Sequence, residues 1–223
     1  MVAFMRVRDI YETYQVPPWL QQHQVRVAAV GKMVSDSLSV PHDRHLVIAT
    51  CLLHDIGAIV KFDFSDEAQS RLNDMCPPEE VSHWTKIRDA IRARYGDAEY
   101  DATNAILDEL GLASIKAVFN QLSISKVHSM LVAAAAEVKI VQYGDMRVGP
   151  FGVVSLEERI ADGNERYRDV YEREGRLRES ESYLADARQL EQQLFEGIRL
   201  RPEDITDGSA AQIIESLWDY EVA

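Results

Sequence analysis

The 223-residue chain is poor in cysteine, poor in positive charge and without a long apolar run. Its two cysteines, Cys51 and Cys76, have neither disulfide-framework nor thiolate-metal spacing, a usage that fits a reducing cytosol. No stretch approaches the roughly 18 consecutive apolar residues of a membrane span. Charges interrupt the apolar residues of Met1 to Tyr14, so that segment does not read as a signal peptide. The expectation is a cytoplasmic protein without membrane contact. Lysine and arginine number 24 against 37 aspartates and glutamates, a net charge of −13. Such a balance argues against a general nucleic-acid binder, which needs a basic face, but leaves room for a local basic pocket that takes a small anion. Strand signals are scarce as well.

What remains is helical. Apolar residues make up 46% of the chain, enough for one proper core. Val16-Pro17-Pro18 breaks the chain, and Val27, Val30, Val34 and Leu38 then fall on helical spacing, predicting a helix from about Trp19 to Leu38. Pro41 suits the first turn of the next helix, which ends at His54 or Asp55 with Gly57 as its C-cap. Lys61 to Cys76 reads as short helices and loop, and Glu79 to Arg94 as helix. A further helix capped by Asp97 stops at Gly111. Ser123 or Ser125 caps one long helix through Val127, Leu131, Ala134, Val138 and Val141 to Asp145. From Ser155 onward Glu and Arg dominate and lysine is absent. Leu177, Leu184, Leu190, Leu194 and Ile198 recur there at roughly helical intervals, and Ser209 caps a last short helix. These features predict an all-α bundle over 1–160 with an acidic helical extension over 161–223. The extension reads either as a charged helical cover laced by i,i+4 Glu/Arg pairs or as the dimerisation element of a homodimer.

The chemistry concentrates in Cys51-Leu52-Leu53-His54-Asp55-Ile56-Gly57. An apolar helical run ends there on a histidine, an aspartate and a glycine. Burying that pair is costly unless something compensates it, and a divalent metal is the natural partner. A mixed N/O donor set leaves Mn, Fe, Co, Ni, Zn and Mg open. With His23 before it and Asp145 after it, the pair forms the pattern H…HD…D. His54-Asp55-Ile56-Gly57 resembles, letter for letter, the HDIG form of the HD-domain superfamily of metal-dependent phosphohydrolases. The resemblance extends over roughly Trp19 to Tyr167, including Tyr143-Gly144-Asp145-Met146-Arg147-Val148 and the run Val153 to Arg159.

That resemblance implies an HD-domain helical bundle in which His23, His54, Asp55 and Asp145 hold one divalent metal ion. His54 and Asp55 would point about 100° apart on a regular helix, but a fraying end lets both reach one ion. The other histidines are poorly placed. His128 lies about 25 Å from Asp145 along the expected continuous helix, and His45 lies about 13 Å back from His54 on the opposite face. Cys51 reads as core. Relatives with two or three metals carry more histidines than this chain, whose interval between the HD pair and the last aspartate has only His83 and His128. Tyr100 stands where small HDIG proteins often have a histidine. A single metal is therefore expected, and an iron oxygenase of the same fold is disfavoured. Nucleotidases of the family can carry a glutamate where Ala58 stands, so the water-activating carboxylate is expected elsewhere, with Asp63 nearest in sequence beside Asp55. Arg26, Lys61 and Arg147 are the candidate substrate cations, the arginines preferred because a guanidinium grips phosphate in two places. The implied function is hydrolysis of a phosphomonoester or phosphodiester, a nucleotide among the candidates. A non-catalytic metal and nucleotide sensor is the alternative.

Overall fold

A computed structural model describes residues 5–65, 75–166, 168, 172, 173 and 177–222, with the side chains of 177–181 excepted. The fold is all-α. Among the described residues there are eleven α-helices, four short 3₁₀ turns and two isolated bridges, but no strand.

Helix α1 (Val7–Thr13) precedes the Pro17-Pro18 break. Helix α2 (Pro18–Ser37) starts with Pro18 in its first turn, where a missing N–H costs nothing. Its Val27, Val30 and Val34 are fully buried, as their spacing predicts. Helix α3 (Arg44–Leu53) starts later than Pro41 suggested: Asp43 is the N-cap and accepts from the Leu46 N–H. Helices α4 (Val81–Tyr95), α5 (Glu99–Glu109) and α6 (Ala113–Phe119) follow, and Ala98 rather than Asp97 caps α5. Gly96 and Gly111 take positive φ at the breaks after α4 and α5. Much of the stretch expected as loop after Lys61 lies outside the described residues.

The expected continuous helix to Asp145 is two helices, α7 (Val127–Ala133) and α8 (Ala136–Met146). Ala134 and Ala135 between them are extended, although alanine is the best helix former. Tertiary partners explain the break. The Leu131 carbonyl, released from the helix, accepts from Lys139 Nζ and from Gln193 Nε2 of α10.

The C-terminal part comprises α9 (Leu156–Arg166), α10 (Leu177–Phe195) and α11 (Asp207–Leu217). Position 160, where the core was expected to end, falls inside α9. Thr206, not Ser209, is the N-cap of α11, and the two residues form a reciprocal capping box. Helix α11 packs on α2, and the segment after it pairs with the chain start through Val7 N–H to Tyr220 O and Val222 N–H to Met5 O. On α10 the apolar stripe Tyr183, Ala187, Leu190 and Leu194 is buried. Helices α7, α8 and α9 cover α10 within the same chain, so the leucines that suggested a dimer seam serve the core. The side chain of Leu177 lies outside the described ones.

At the centre α2, α3 and α8 pack against one another. Small residues let their backbones close in. A Cβ on Gly31 would stand 2.8 Å from Cys51 Sγ, and one on Gly144 would stand 3.1 Å from the Val27 carbonyl oxygen. Gly57 serves the same end rather than capping α3. Its φ of −93° is open to any residue, but a Cβ there would meet the Thr103 backbone nitrogen of α5 at 2.5 Å. Gly57→Ala is therefore expected to destabilise the protein by about 1–3 kcal/mol through overpacking. The urea midpoint would fall at unchanged m-value; an unchanged midpoint would show that the contact between the turn after α3 and α5 yields freely.

Candidate metal centre

Three central helices each deliver candidate ligands to one point. His23 comes from the first half of α2, and Asp145 from the last turn of α8. His54 and Asp55 follow α3, where turns closed by Ile56 N–H to Leu53 O and Ala58 N–H to Asp55 O rotate the chain out of the helix. That rotation turns both neighbours toward the same point. Ligand atoms of His23, His54 and Asp55 lie within 4.8 Å of one another. Asp145 closes the fourth side, with Oδ1 3.2 Å from His23 Nε2 and 3.7 Å from His54 Nε2. Asp55 contributes Oδ2 at 3.8 Å from His23 Nε2 and Oδ1 at 3.8 Å from His54 Nε2. Donors at about 2.0–2.2 Å from one cation stand about 3–4.4 Å apart around it, so this spacing suits a shared ion.

His54 supplies the sharper test of fit. It is 5% exposed, and its Nδ1 lies 2.9 Å from the Cys51 carbonyl oxygen. A carbonyl only accepts, so Nδ1 carries the proton and Nε2 presents a lone pair when the ring is neutral. Nε2 is buried and has no hydrogen-bond partner. A buried polar atom left so is rare, and a ring held through its other nitrogen is the usual state of a metal-binding histidine. Asp55 is held too: its N–H donates to Gln24 Oε1, one residue along α2 from His23.

The electrostatics point the same way. Burial opposes charge on His54, but Asp55 and Asp145 outweigh it and raise the imidazole to about 9. Burial likewise opposes ionisation of Asp55, while Lys61, His54 and His23 pull its carboxyl down to about 2. Asp145, desolvated but faced by the imidazoles of His23 and His54, is held well below the ordinary carboxylate range. The cluster demands positive charge at its centre, which protons or a metal ion can supply in competition.

A cavity of about 340 Å³ opens over His54, Asp55 and Asp145, and Glu99, Tyr100 and Phe119 form part of its wall. Burial raises the Glu99 carboxyl, Lys61 draws it back and Asp55 adds to the rise, leaving it at about 7. A second cavity of about 260 Å³ reaches His23 and Asp55 from the other side and includes Lys61, Asp63 and Arg159.

The remaining expected residues separate. Lys61 lines the second cavity and is paired with Glu99 at 2.7 Å. Asp63 lines it too, largely in solvent, accepting from the Ser65 N–H. Arg26 lines neither cavity; its guanidinium reaches Gln22 across one helical turn. Arg147 does not face a substrate. It is 5% exposed and donates to Val154 O, Tyr143 Oη, Pro202 O and Ile205 O, beside Glu191. The chain after Asp145 redirects it inward as expected, but into the seam with the C-terminal segment. His128 is exposed and pairs with Asp186, and His83 rests edge-on against Trp84. Ala58 is fully buried, so no carboxylate stands four residues after His54. Glu99, Gln24 and Arg159 were not foreseen. The one sequence signal for them is Gln24, a polar residue in the largely apolar stretch that follows His23.

His54→Ala and Asp55→Ala should each lose bound metal while retaining helicity, because α2, α3 and α8 are held by apolar contacts. Elemental analysis with circular dichroism checks this, and full metal content in either variant would refute the ligand set. His128→Ala should leave metal content unchanged. Arg147→Met should lower stability by about 2–4 kcal/mol, since it leaves the buried carbonyls of Val154, Pro202 and Ile205 without this donor, without loss of metal. Denaturant titration and elemental analysis separate the two effects.

The family model for the HD domain matches residues 20–145, from the first turn of α2 to Asp145. No curated protein and no solved structure matches the chain.

Proposed function

The chain belongs to the HD-domain family, a family of metal-dependent phosphohydrolases, and on that premise we propose that it hydrolyses a small phosphate ester, a phosphomonoester or phosphodiester of nucleotide size. The observation that carries this reading is the buried, unpartnered Nε2 of His54 among His23, Asp55 and Asp145, at the floor of a 340 Å³ cavity. A volume near the lower end of ligand pockets, about 300–1,000 Å³, suits a small molecule and not a polymer.

His23, His54, Asp55 and Asp145 would hold one divalent ion of the Mn, Fe, Co, Ni, Zn and Mg group. Bound there, such an ion supplies Lewis acidity toward a phosphoryl oxygen and makes water more acidic. The chain's own residues do the rest. The Cys51 carbonyl keeps His54 in the tautomer that leaves Nε2 open. Gln24 fixes the backbone of Asp55, and Asp55 orients the attacking water with its carboxylate. Lys61 brings a cation to the second cavity, on which Asp55 also opens, and is itself steered by Glu99. Glu99 is the carboxyl that lines the ester cavity together with His54 and Asp145, and it takes the place expected of Asp63. The apolar wall limits water around the ester.

The buried Ala58 favours one alternative, a sensor that keeps the metal and binds a nucleotide without cleaving it. Among the described residues no second cluster of metal-binding side chains accompanies the first, which supports a single ion over a di-iron oxygenase.

Purified protein supplied with Mn, Co or Ni should release phosphate or a monoester from a panel of nucleotides and generic phosphodiesters. Chelation should abolish the activity and metal should restore it. Arg26→Gln should leave kcat/KM unchanged, whereas Glu99→Gln and Lys61→Met should lower it. A tightly held nucleotide without turnover would select the sensor, and two irons per chain would select the oxygenase.

A further inference from the structure

Helix α9 presents Arg159, Ile160, Gly163 and Asn164 to the ester cavity, positions i, i+1, i+4 and i+5 that share one helical face. Gly163 is out of place in that helix by local rules. It sits mid-helix without a positive φ, where glycine weakens a helix relative to alanine. Nor does close packing require it. Among the described residues the nearest heavy atom to a Cβ built there is Arg159 Nη1 at 3.9 Å. This contrasts with Gly31, Gly57 and Gly144, each of which lets another backbone or side chain approach. At Gly163 the space gained belongs to the cavity.

The surroundings of that space indicate what it takes. Opposite α9 stands Phe119, stacked on Tyr100 with ring centroids 5.4 Å apart. Ile160 and Met146 add apolar surface, and Asn164 adds an amide at the edge. Flat apolar walls with a polar rim favour a planar, uncharged ring system that carries hydrogen-bonding groups on its edge. Arg159 faces both cavities, which meet at Asp55. Its Nε is buried without a hydrogen-bond partner, and Nη1 stands 3.7 Å from Asp162. The Arg159 side chain is still 26% exposed, so its terminal N–H groups remain open to a phosphate oxygen.

We propose that the inner face of α9 is the specificity wall of the site. The gap at Gly163 seats a heterocycle-sized ring of the substrate, and Arg159 binds its phosphate. The inference rests on the phosphohydrolase reading and replaces Arg26 and Arg147 as the expected phosphate clamp.

The test compares the wild type with Gly163→Leu and Gly163→Ala, all loaded with Mn and checked for metal content and thermal midpoint. The probes are AMP and glycerol 3-phosphate, assayed for phosphate release and, by calorimetry, for binding. Gly163→Ala should fold at least as stably as the wild type. Gly163→Leu should keep its metal and lower kcat/KM for AMP at least about tenfold more than for glycerol 3-phosphate. Arg159→Gln should weaken both probes alike by at least about tenfold. Turnover in the wild type with an unchanged AMP preference in Gly163→Leu would overturn the inference and leave the phosphohydrolase reading standing. AMP binding without turnover, lost in Gly163→Leu, would overturn the phosphohydrolase reading and keep the cavity assignment. Neither turnover nor binding would overturn both.

Discussion

The metal centre depends on how closely α2, α3 and α8 approach one another. Four side chains from separate parts of the chain converge only if three backbones come nearer than ordinary side chains allow. Gly31 opposite Cys51 and Gly144 opposite the Val27 carbonyl supply that proximity. The apolar faces of the same helices supply the free energy, at roughly 25 cal/mol per Å² of buried apolar surface. The ligands then stand on rigid elements rather than on loops, which is the condition for a preorganised site.

Convergence has an electrostatic cost. Two carboxylates and two imidazoles are gathered where water is scarce, and each charge there lacks its solvent shell. Without metal, the acids and histidines compensate one another: Asp55 and Asp145 pull the His54 imidazole up, and the histidines pull the carboxyls down. A divalent ion bound there would replace these proton-mediated contacts, and any ion that binds only the folded chain stabilises it by linkage. The net charge of −13 thus hides a local arrangement in which Lys61, near the site, is tied to Glu99.

The C-terminal segment is built into this frame. Helix α11 covers α2, α10 covers α7 and α8, and Arg147 fastens the end of α8 to carbonyls near the start of α11. Because Arg147 follows Asp145 by two residues, the anchor also holds the ligand-bearing end of α8. Helix α9 bridges the two parts and forms one wall of the cavity, so the cavity draws on residues beyond the matched 20–145 stretch.

Much of this was legible in the chain itself. Apolar spacing along α2, the Pro17-Pro18 break, the Gly96 and Gly111 stops and the pattern of His23, His54-Asp55 and Asp145 are local signals, and each has a local cause. The rest depended on partners distant in sequence. Alanine at 134 and 135 favours helix, yet the carbonyl released at Leu131 finds Lys139 and Gln193. Arg147 reads as a substrate cation until Tyr143, Val154, Pro202 and Ile205 surround it. The leucines of α10 read as a dimer seam until helices of the same chain cover them. Sequence by itself determined the helical elements and the donor atoms offered to a cation, because propensity and ligand chemistry belong to single residues. Tertiary structure alone decided which cations, carboxyls and glycines face the cavity, because the direction of a side chain follows from what packs behind it.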